Sequence, residues 1–396
     1  MKSGRRAAWM LIFLAWPATL DGVVFAGPDG LPGWALGPFT RPDAAGPVIT
    51  PNRESIFDCP VRKQPVHWEA RHTFNPAAVV RNGKVVVLYR AEDDSGTGIG
   101  TFTSRLGLAE SDDGIRFTRR PAPVFFPAED NQKANEWPGG CEDPRLAESE
   151  DGLYVLTYTQ WNRQVWRLAV ATSKDLTTWT KHGPAFAGAG GKYAGMACKS
   201  GGIVCRVSGD RLIAAKINGR YWMYWGEGEM HLASSRDLIH WQPVEDDKGN
   251  LVAVLSPRPG RFDSAFPEGG PPPLLTDQGI VVLYNGKNAE TNGDKDLGPG
   301  AYAGGQALFD AGNPAKLLGR LDAPFFKPEK PFEKTGQYAA GTTFIEGLVF
   351  FKGKWFLYYG CADSMVGVAV FDPGDAASSK PGNPGPRSTS EGRSPR

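Results

Sequence analysis

The chain has 396 residues, with 44 Lys and Arg against 43 Asp and Glu, a formal net charge of +1. That balance, without any basic stripe, excludes nucleic acid as a partner. A content of 11% aromatic residues and 50 glycines fits a turn-rich β protein long enough to bury a large core. At the start, Lys2, Arg5 and Arg6 precede an apolar stretch from Ala7 to Leu20, and Val24-Phe25-Ala26 stands before Gly27. This is the pattern of a secretory signal peptide over 1–26, cleaved after Ala26, and it predicts a periplasmic or secreted protein. The stretch is short and broken by Pro17, so no membrane anchor is expected.

Further along, one phrase recurs: Ser-x-Asp-x-x-x-aromatic, as Ser111, Asp113, Phe117, then Ser173, Asp175, Trp179, then Ser235, Asp237, Trp241. The alanines that open it, Ala109, Ala171 and Ala233, are 62 residues apart, and Ala307 and Ala369 repeat that step. Each copy reads as a local turn, with Ser and Asp folding back on nearby amides while the aromatic packs between neighbours. The phrase resembles the Asp-box of sialidases, a surface turn that carries no catalysis. A second series places a residue-Gly pair before each apolar run: Asn82-Gly83, Asp151-Gly152, Asn218-Gly219, Gln278-Gly279 and Lys352-Gly353. Such pairs close tight hairpins, and the runs that follow end in Tyr89, Tyr158, Tyr224, Tyr284 and Tyr359. No amphipathic helix of ten or more residues is evident. Five sheet units of about 60 residues predict an all-β, five-bladed β-propeller spanning 27–373, in preference to a solenoid of sheets.

The five cysteines, Cys59, Cys141, Cys198, Cys205 and Cys361, fit no zinc spacing, and an odd number cannot all pair. Cys198 and Cys205 are spaced for a hairpin bridge, with buried thiols the competing reading. No metal or other cofactor is predicted. From 374 to 396 the chain is rich in Pro, Gly, Ser and Arg and is expected to be disordered. Nothing in the sequence sets an oligomeric state.

In a propeller the first strand of each blade begins at one mouth of the central channel. Here those starts are Asn75-Pro76, Asp143-Pro144, Lys199-Ser200, Gly270-Pro271 and Glu346-Gly347. The second strands return to the same face at Arg90 to Asp93, Gln160-Trp161-Asn162, Gly226-Glu227, Lys287-Asn288 and Ala362-Asp363. Burying so many charged and amide groups without partners is costly, so a polar ligand that satisfies them is expected. A carboxylate-rich, aromatic-edged pocket in an exported protein points to a carbohydrate, whose glycosidic bond breaks between two carboxyl groups. Asp143 is the candidate acid, with Glu142 or another carboxylate as the neighbour that keeps it protonated. Trp137, Trp161 and Trp166 are candidate sugar platforms, with blade packing as the alternative.

These residues resemble glycoside hydrolase family 130, the five-bladed β-mannoside phosphorylases and β-mannosidases. The matching stretches run in order from about residue 70 to 372: Phe74-Asn75-Pro76-Ala77, Leu88-Tyr89-Arg90-Ala91-Glu92, Gly140-Cys141-Glu142-Asp143-Pro144-Arg145, Gly270-Pro271-Pro272-Pro273 and Tyr358-Tyr359-Gly360-Cys361-Ala362-Asp363. The resemblance implies that Asp143 is the general acid, that Asn75, Arg90, Glu92 and Asp363 hold the mannose, and that attack inverts the anomeric centre. Arg145, Lys199 and Asn162 are further candidates for substrate binding. Phosphorylases of the family need basic groups around an attacking phosphate. This chain instead has Tyr224-Trp225-Gly226-Glu227, Tyr284-Asn285-Gly286, and Glu268 before Gly269-Gly270-Pro271. Each carboxylate near a phosphate would cost about 4 kcal/mol at ~4 Å and an effective dielectric of ~20. Carboxylates at those positions resemble the hydrolase branch of the family, whose members cut β-1,2-linked mannosides. The resemblance therefore implies an inverting hydrolase of that kind, with Glu227 or Glu268 activating water and Glu227 the favoured base. The acid and base carboxyls should stand about 6.5–9.5 Å apart. The rival readings are a phosphorylase releasing α-mannose 1-phosphate and a non-catalytic sugar-binding propeller.

Overall fold

The computed structural model describes residues 30–42 and 46–374. The expected leader, 1–26, and the expected tail, beyond Gly374, lie outside the described residues. What is described is nearly all β, and helix pieces such as Lys133–Glu136 span only four residues.

Five antiparallel meanders follow one another, each centred on one of the predicted apolar runs. The first contains His72–Arg81, Lys84–Glu92 and Ser104–Ser111, and the second Gly140–Glu148, Tyr154–Trp161 and Trp166–Ser173. The third is built on Arg220–Trp225 and Met230–Ser235, and the fourth on Gly279–Lys287 and Tyr302–Phe309. The fifth contains Thr343–Phe351, Lys354–Cys361 and Met365–Phe371. Parallel bridges Ser104↔Gly140, Ile213↔Glu148 and Cys205↔Leu274 stitch successive meanders together.

The turns form for the reasons their residues suggest. Asn82-Gly83, Asn218-Gly219 and Lys352-Gly353 have both residues at positive φ, the backbone of a two-residue hairpin. At Asp151-Gly152 and Gln278-Gly279 only the glycine does so, and the Ser149 hydroxyl accepts the Leu153 amide instead. In the 62-residue phrase, Asp113 Oδ1 accepts the amides of Ile115 and Arg116, and Asp175 and Asp237 repeat this two and three residues on. Ser111, Ser173 and Ser235 accept the amide three residues on.

The middle strands read as unbroken apolar runs because both faces are covered. Val85, Val87 and Tyr89 pack with Phe356, Tyr358 and Val366 of the fifth meander, while Val86 and Leu88 pack with Leu106, Leu146 and Leu156 toward the second. Full burial of each such side chain is worth about 1.5–3 kcal/mol. The last meander also meets the first: the Thr73 amide donates to the Ser364 carbonyl at 3.1 Å, and the Tyr358 hydroxyl to the Gly114 carbonyl at 2.8 Å. The segment before the first meander pairs along the fifth through Thr40↔Val370 and Ile49↔Val366. All five cysteines are buried thiols, so Cys198 and Cys205 form no bridge.

The repeated phrase makes a stability prediction. Asp237→Ala, which removes acceptors at the surface, should cost about 1 kcal/mol, whereas Trp241→Ala, emptying a site only 2% exposed, should cost about 3–5 kcal/mol. Urea unfolding of both variants checks the order; a larger loss for Asp237→Ala would mean that the turn, not its aromatic, holds the unit.

Candidate active site

Strand irregularities aim the polar residues. Pairing slips between Phe74 and Pro76 in the first meander and between Glu142 and Arg145 in the second. At each slip sits a residue in the left-handed region, Asn75 (φ 45) and Asp143 (φ 47), followed by a proline without an amide to give the ladder. Asn and Asp tolerate that backbone better than other non-glycine residues. Ser200 (φ 61), Ala362 (φ 46) and Asp363 (φ 50) turn in the same way. Asn75 Nδ2 donates to Asp143 Oδ1 at 2.8 Å, tying the first two meanders at the site.

Arg90 organises one side. Its guanidinium bonds Asp143 at 3.1 Å, Glu92 at 2.7 Å and Glu142 at 2.8 Å, donates to the Ser104 hydroxyl, and lies 4.6 Å from the Phe74 ring centre. Burial pushes the Asp143 carboxyl up, but Arg90, Lys199 and the Asn75 amide outweigh it and hold Asp143 down at about 2. Glu142 goes the other way: burial raises it to about 7, with Arg90 pulling back and Asp143 and Glu92 adding repulsion. Burial also raises Asp363 to about 7 and Glu92 above its usual range. The expectation that Glu142 keeps Asp143 protonated is thus reversed. Glu142 and Asp363 hold a proton more tightly than Asp143 does.

Lys199 organises the other side. Its ammonium stands 3.1 Å from Glu227 and 3.1 Å from Glu268, and the Ser200 hydroxyl donates to Glu268 at 2.6 Å. Glu227 and Glu268 also face each other across a backbone bridge between the third and fourth meanders. Burial raises the Glu268 carboxyl against the pull of Lys199.

One cavity of about 330 Å³ gathers these groups: Asn75, Arg90, Asp143, Lys199, Glu227, Glu268 and Asp363 all line it. So do Glu142, Trp161 and Trp166. A wall that no sequence motif announced completes it, namely Tyr302, Tyr338 and Phe344, with Ile99 at the rim. These rings pack edge to face, Tyr302 lying 5.5 Å from Tyr338 and 5.9 Å from Phe344. A larger cavity of about 660 Å³, between Phe125, Trp179 and Lys181, holds a single acidic residue, Asp130, already 3.1 Å from Lys181. It offers no paired carboxylates.

Several expected residues fall elsewhere. Glu92 stands behind Arg90, bonded to it and to Gln337. Arg145 is buried, and its guanidinium bonds the backbone carbonyls of Asp143, Gly269 and Gly270. Asn162 closes a local turn, accepting the amides of Gln164 and Val165, and is not in the cavity. Trp137 lies under the Arg62 guanidinium, 5.5 Å away. Many of the polar corners pair among themselves, while Asn75 Oδ1 and both Glu346 carboxyl oxygens accept no hydrogen bond.

Paired carboxylates beside aromatic walls in a nearly all-β frame define a carbohydrate-active site, and comparison with known proteins agrees. The chain matches, over residues 43–374, the profile of glycoside hydrolase family 130, described as β-1,4-mannooligosaccharide phosphorylase. It belongs to that family and is a carbohydrate-active enzyme. A 1,2-β-oligomannan phosphorylase of Thermoanaerobacter sp. (strain X514) is 31% identical over 334 residues, 83% of this chain and 96% of that protein. A glycosyl hydrolase from Bacteroides ovatus is 57% identical with a TM-score of 0.85, covering 87% of this chain and 96% of that one. A further structure is 56% identical with a TM-score of 0.86 over 87% of this chain and 96% of that one. It comes from work on glycoside hydrolases of the family that target β-1,2 mannosidic linkages in Candida mannan.

The raised carboxyls predict a pH dependence of folding. Glu142 and Asp363 stay protonated up to about pH 7 in the folded chain, whereas unfolded carboxyls release their protons near pH ~4. The folded state therefore binds more protons in that window, so this contribution is fully present at low pH and is lost as pH rises through about 7. Calorimetry should show a fall in Tm between about pH 4 and 7 that Glu142→Gln flattens. Parallel curves for the two proteins would contradict the assignment.

Proposed function

We propose that this protein hydrolyses β-mannosidic bonds, with β-1,2 as the linkage, and inverts the anomeric centre. The observation that carries this reading is the charge lining the cavity: five carboxylates, Glu142, Asp143, Glu227, Glu268 and Asp363, against two cations, Arg90 and Lys199. Both cations are already bonded to carboxylates. An incoming phosphate dianion meets net negative charge even with Glu142 and Asp363 protonated, and water does not. The likeness at 56–57% identity to the B. ovatus glycosyl hydrolase and to the structure from the β-1,2-mannoside hydrolase work supports the same choice.

In this mechanism Asp143 delivers a proton to the glycosidic oxygen as the C–O bond breaks. The cluster around Arg90 supplies that proton, since Glu142 and Asp363 hold protons near neutrality while Asp143 alone does not. Water attacks the anomeric carbon and gives its proton to a glutamate. Glu227, with its side chain 31% exposed, meets solvent water; Glu268, 1% exposed and bonded to Ser200 and Lys199, fixes the ammonium between them.

Phosphorolysis is the second reading, and the curated comparison favours it more directly. The Thermoanaerobacter relative is a phosphorylase and the family profile carries a phosphorylase description. Lys199 would then serve the phosphate, provided Glu227 and Glu268 released it.

Two further proposals accompany this reading. The contact of the fifth meander with the first, together with the pairing of Thr40 and Ile49 onto the fifth, supports closure into a five-bladed propeller. The Lys/Arg-led apolar start supports export.

NMR of β-1,2-mannobiose turnover, with and without inorganic phosphate, tests the function. Mannose appearing without phosphate, first as the α anomer, is expected; strict phosphate dependence would sink the hydrolase reading. Asp143→Asn and Glu227→Gln should each lower kcat on the order of 10²–10⁴-fold. Normal turnover by Glu227→Gln would remove it as the base.

A further inference from the structure

Arg145 does not reach the cavity, yet it touches both halves of the chemistry. Its NH1 donates to the Asp143 carbonyl at 3.0 Å, its NH2 to the Gly269 carbonyl at 2.6 Å, and its Nε to the Gly270 carbonyl at 3.0 Å. One planar fork thereby joins the peptide of the acid in the second meander to the peptide that follows Glu268 in the fourth. Only a guanidinium offers this geometry; a lysine ammonium is a point donor. The far end of the strut cannot yield on its own. A Cβ on Gly269 would lie 2.3 Å from the Ser200 carbonyl oxygen, and one on Gly270 would lie 2.6 Å from that of Leu283.

Glu346 completes the arrangement from the fifth meander, at the pairing slip between Ile345 and Gly347. Its carboxylate is fully buried, 3.1 Å from Arg145 NH1, and neither oxygen accepts a hydrogen bond. A buried carboxylate left so bare needs a reason. Burial pushes its carboxyl well up, with Arg145 and Arg90 pulling back and the acid Asp143 and the base candidate Glu268 adding repulsion.

We propose that Arg145 and Glu346 are a positioning pair: the guanidinium sets the separation of Asp143 from Glu268, and the Glu346 carboxyl seats that guanidinium from the fifth meander. This deepens the glycosidase reading and rests on it. Neither residue touches substrate.

The test uses Arg145→Lys, Glu346→Ala and the isosteric Glu346→Gln in the full chain. Arg145→Lys should lower kcat on the order of 10²-fold, the penalty of roughly 1 Å of misplacement, with KM little changed. A crystal structure of that variant should show the Asp143 and Glu268 carboxyls moved apart or together by about 1 Å. Glu346→Ala, which removes the seat of the guanidinium, should lower kcat on the order of 10-fold with KM little changed, and Glu346→Gln, which keeps the shape of a protonated carboxyl, should restore it. A rise in KM at unchanged kcat would make Arg145 a sugar ligand and overturn the proposal. So would an unmoved pair of carboxyls in Arg145→Lys, which is read without turnover and stands even if the wild-type chain proves inactive on mannosides. Should Arg145→Lys not fold, an unchanged kcat in Glu346→Ala overturns the proposal.

Discussion

Everything at the site depends on two cations, the buried Arg90 and the half-buried Lys199, holding together a crowd of carboxylates that would otherwise repel one another. Arg90 gathers Glu92, Glu142 and Asp143; Lys199 gathers Glu227 and Glu268. In a low-dielectric interior an unpaired carboxylate takes up a proton instead of staying charged. The surplus of acids over cations means that some here do so, while Asp143, held down by Arg90, Lys199 and the Asn75 amide, does not. The site thus separates groups that carry protons from groups that carry charge, a condition for acid–base chemistry near neutrality.

That arrangement survives because the frame around it is stiff. Each middle strand is apolar on both faces and wedged between neighbouring meanders, so the polar ends converge while the rest of the strand packs. The slips at Asn75-Pro76 and Asp143-Pro144 are where the ladder opens, and they turn two side chains into the cavity that regular pairing would have placed elsewhere. The bulge also explains a failed expectation. Residues two apart on a regular strand share a face, which places Arg145 beside Asp143 at the sugar. The extra residue breaks that parity, and Arg145 enters the buried backbone between meanders instead.

Much of this was legible in the chain because local chemistry and function coincide in the same few residues. Asn82-Gly83, Asp237 and Trp241 announce turns through bonds made within a handful of positions. Asn75, Asp143, Arg90 and Asp363 were legible because the residues that break the strand are also the residues that line the cavity. Asn162 misled because an amide at a strand end caps a turn as readily as it binds a sugar; here it accepts two amides of its own loop. The wall of Tyr302, Tyr338 and Phe344 left no trace, since its members meet only across separate meanders and each reads alone as an ordinary core aromatic.

The amino-acid order by itself determined the repeating unit, the turns and the family, because those rest on contacts between near neighbours and on motifs a few residues long. Only the tertiary structure decided which acids hold protons, which glutamates share Lys199, and that Arg145 braces the site from below. Charge and burial at a point in space are summed over all the meanders that reach it, and no single stretch of chain contains that sum.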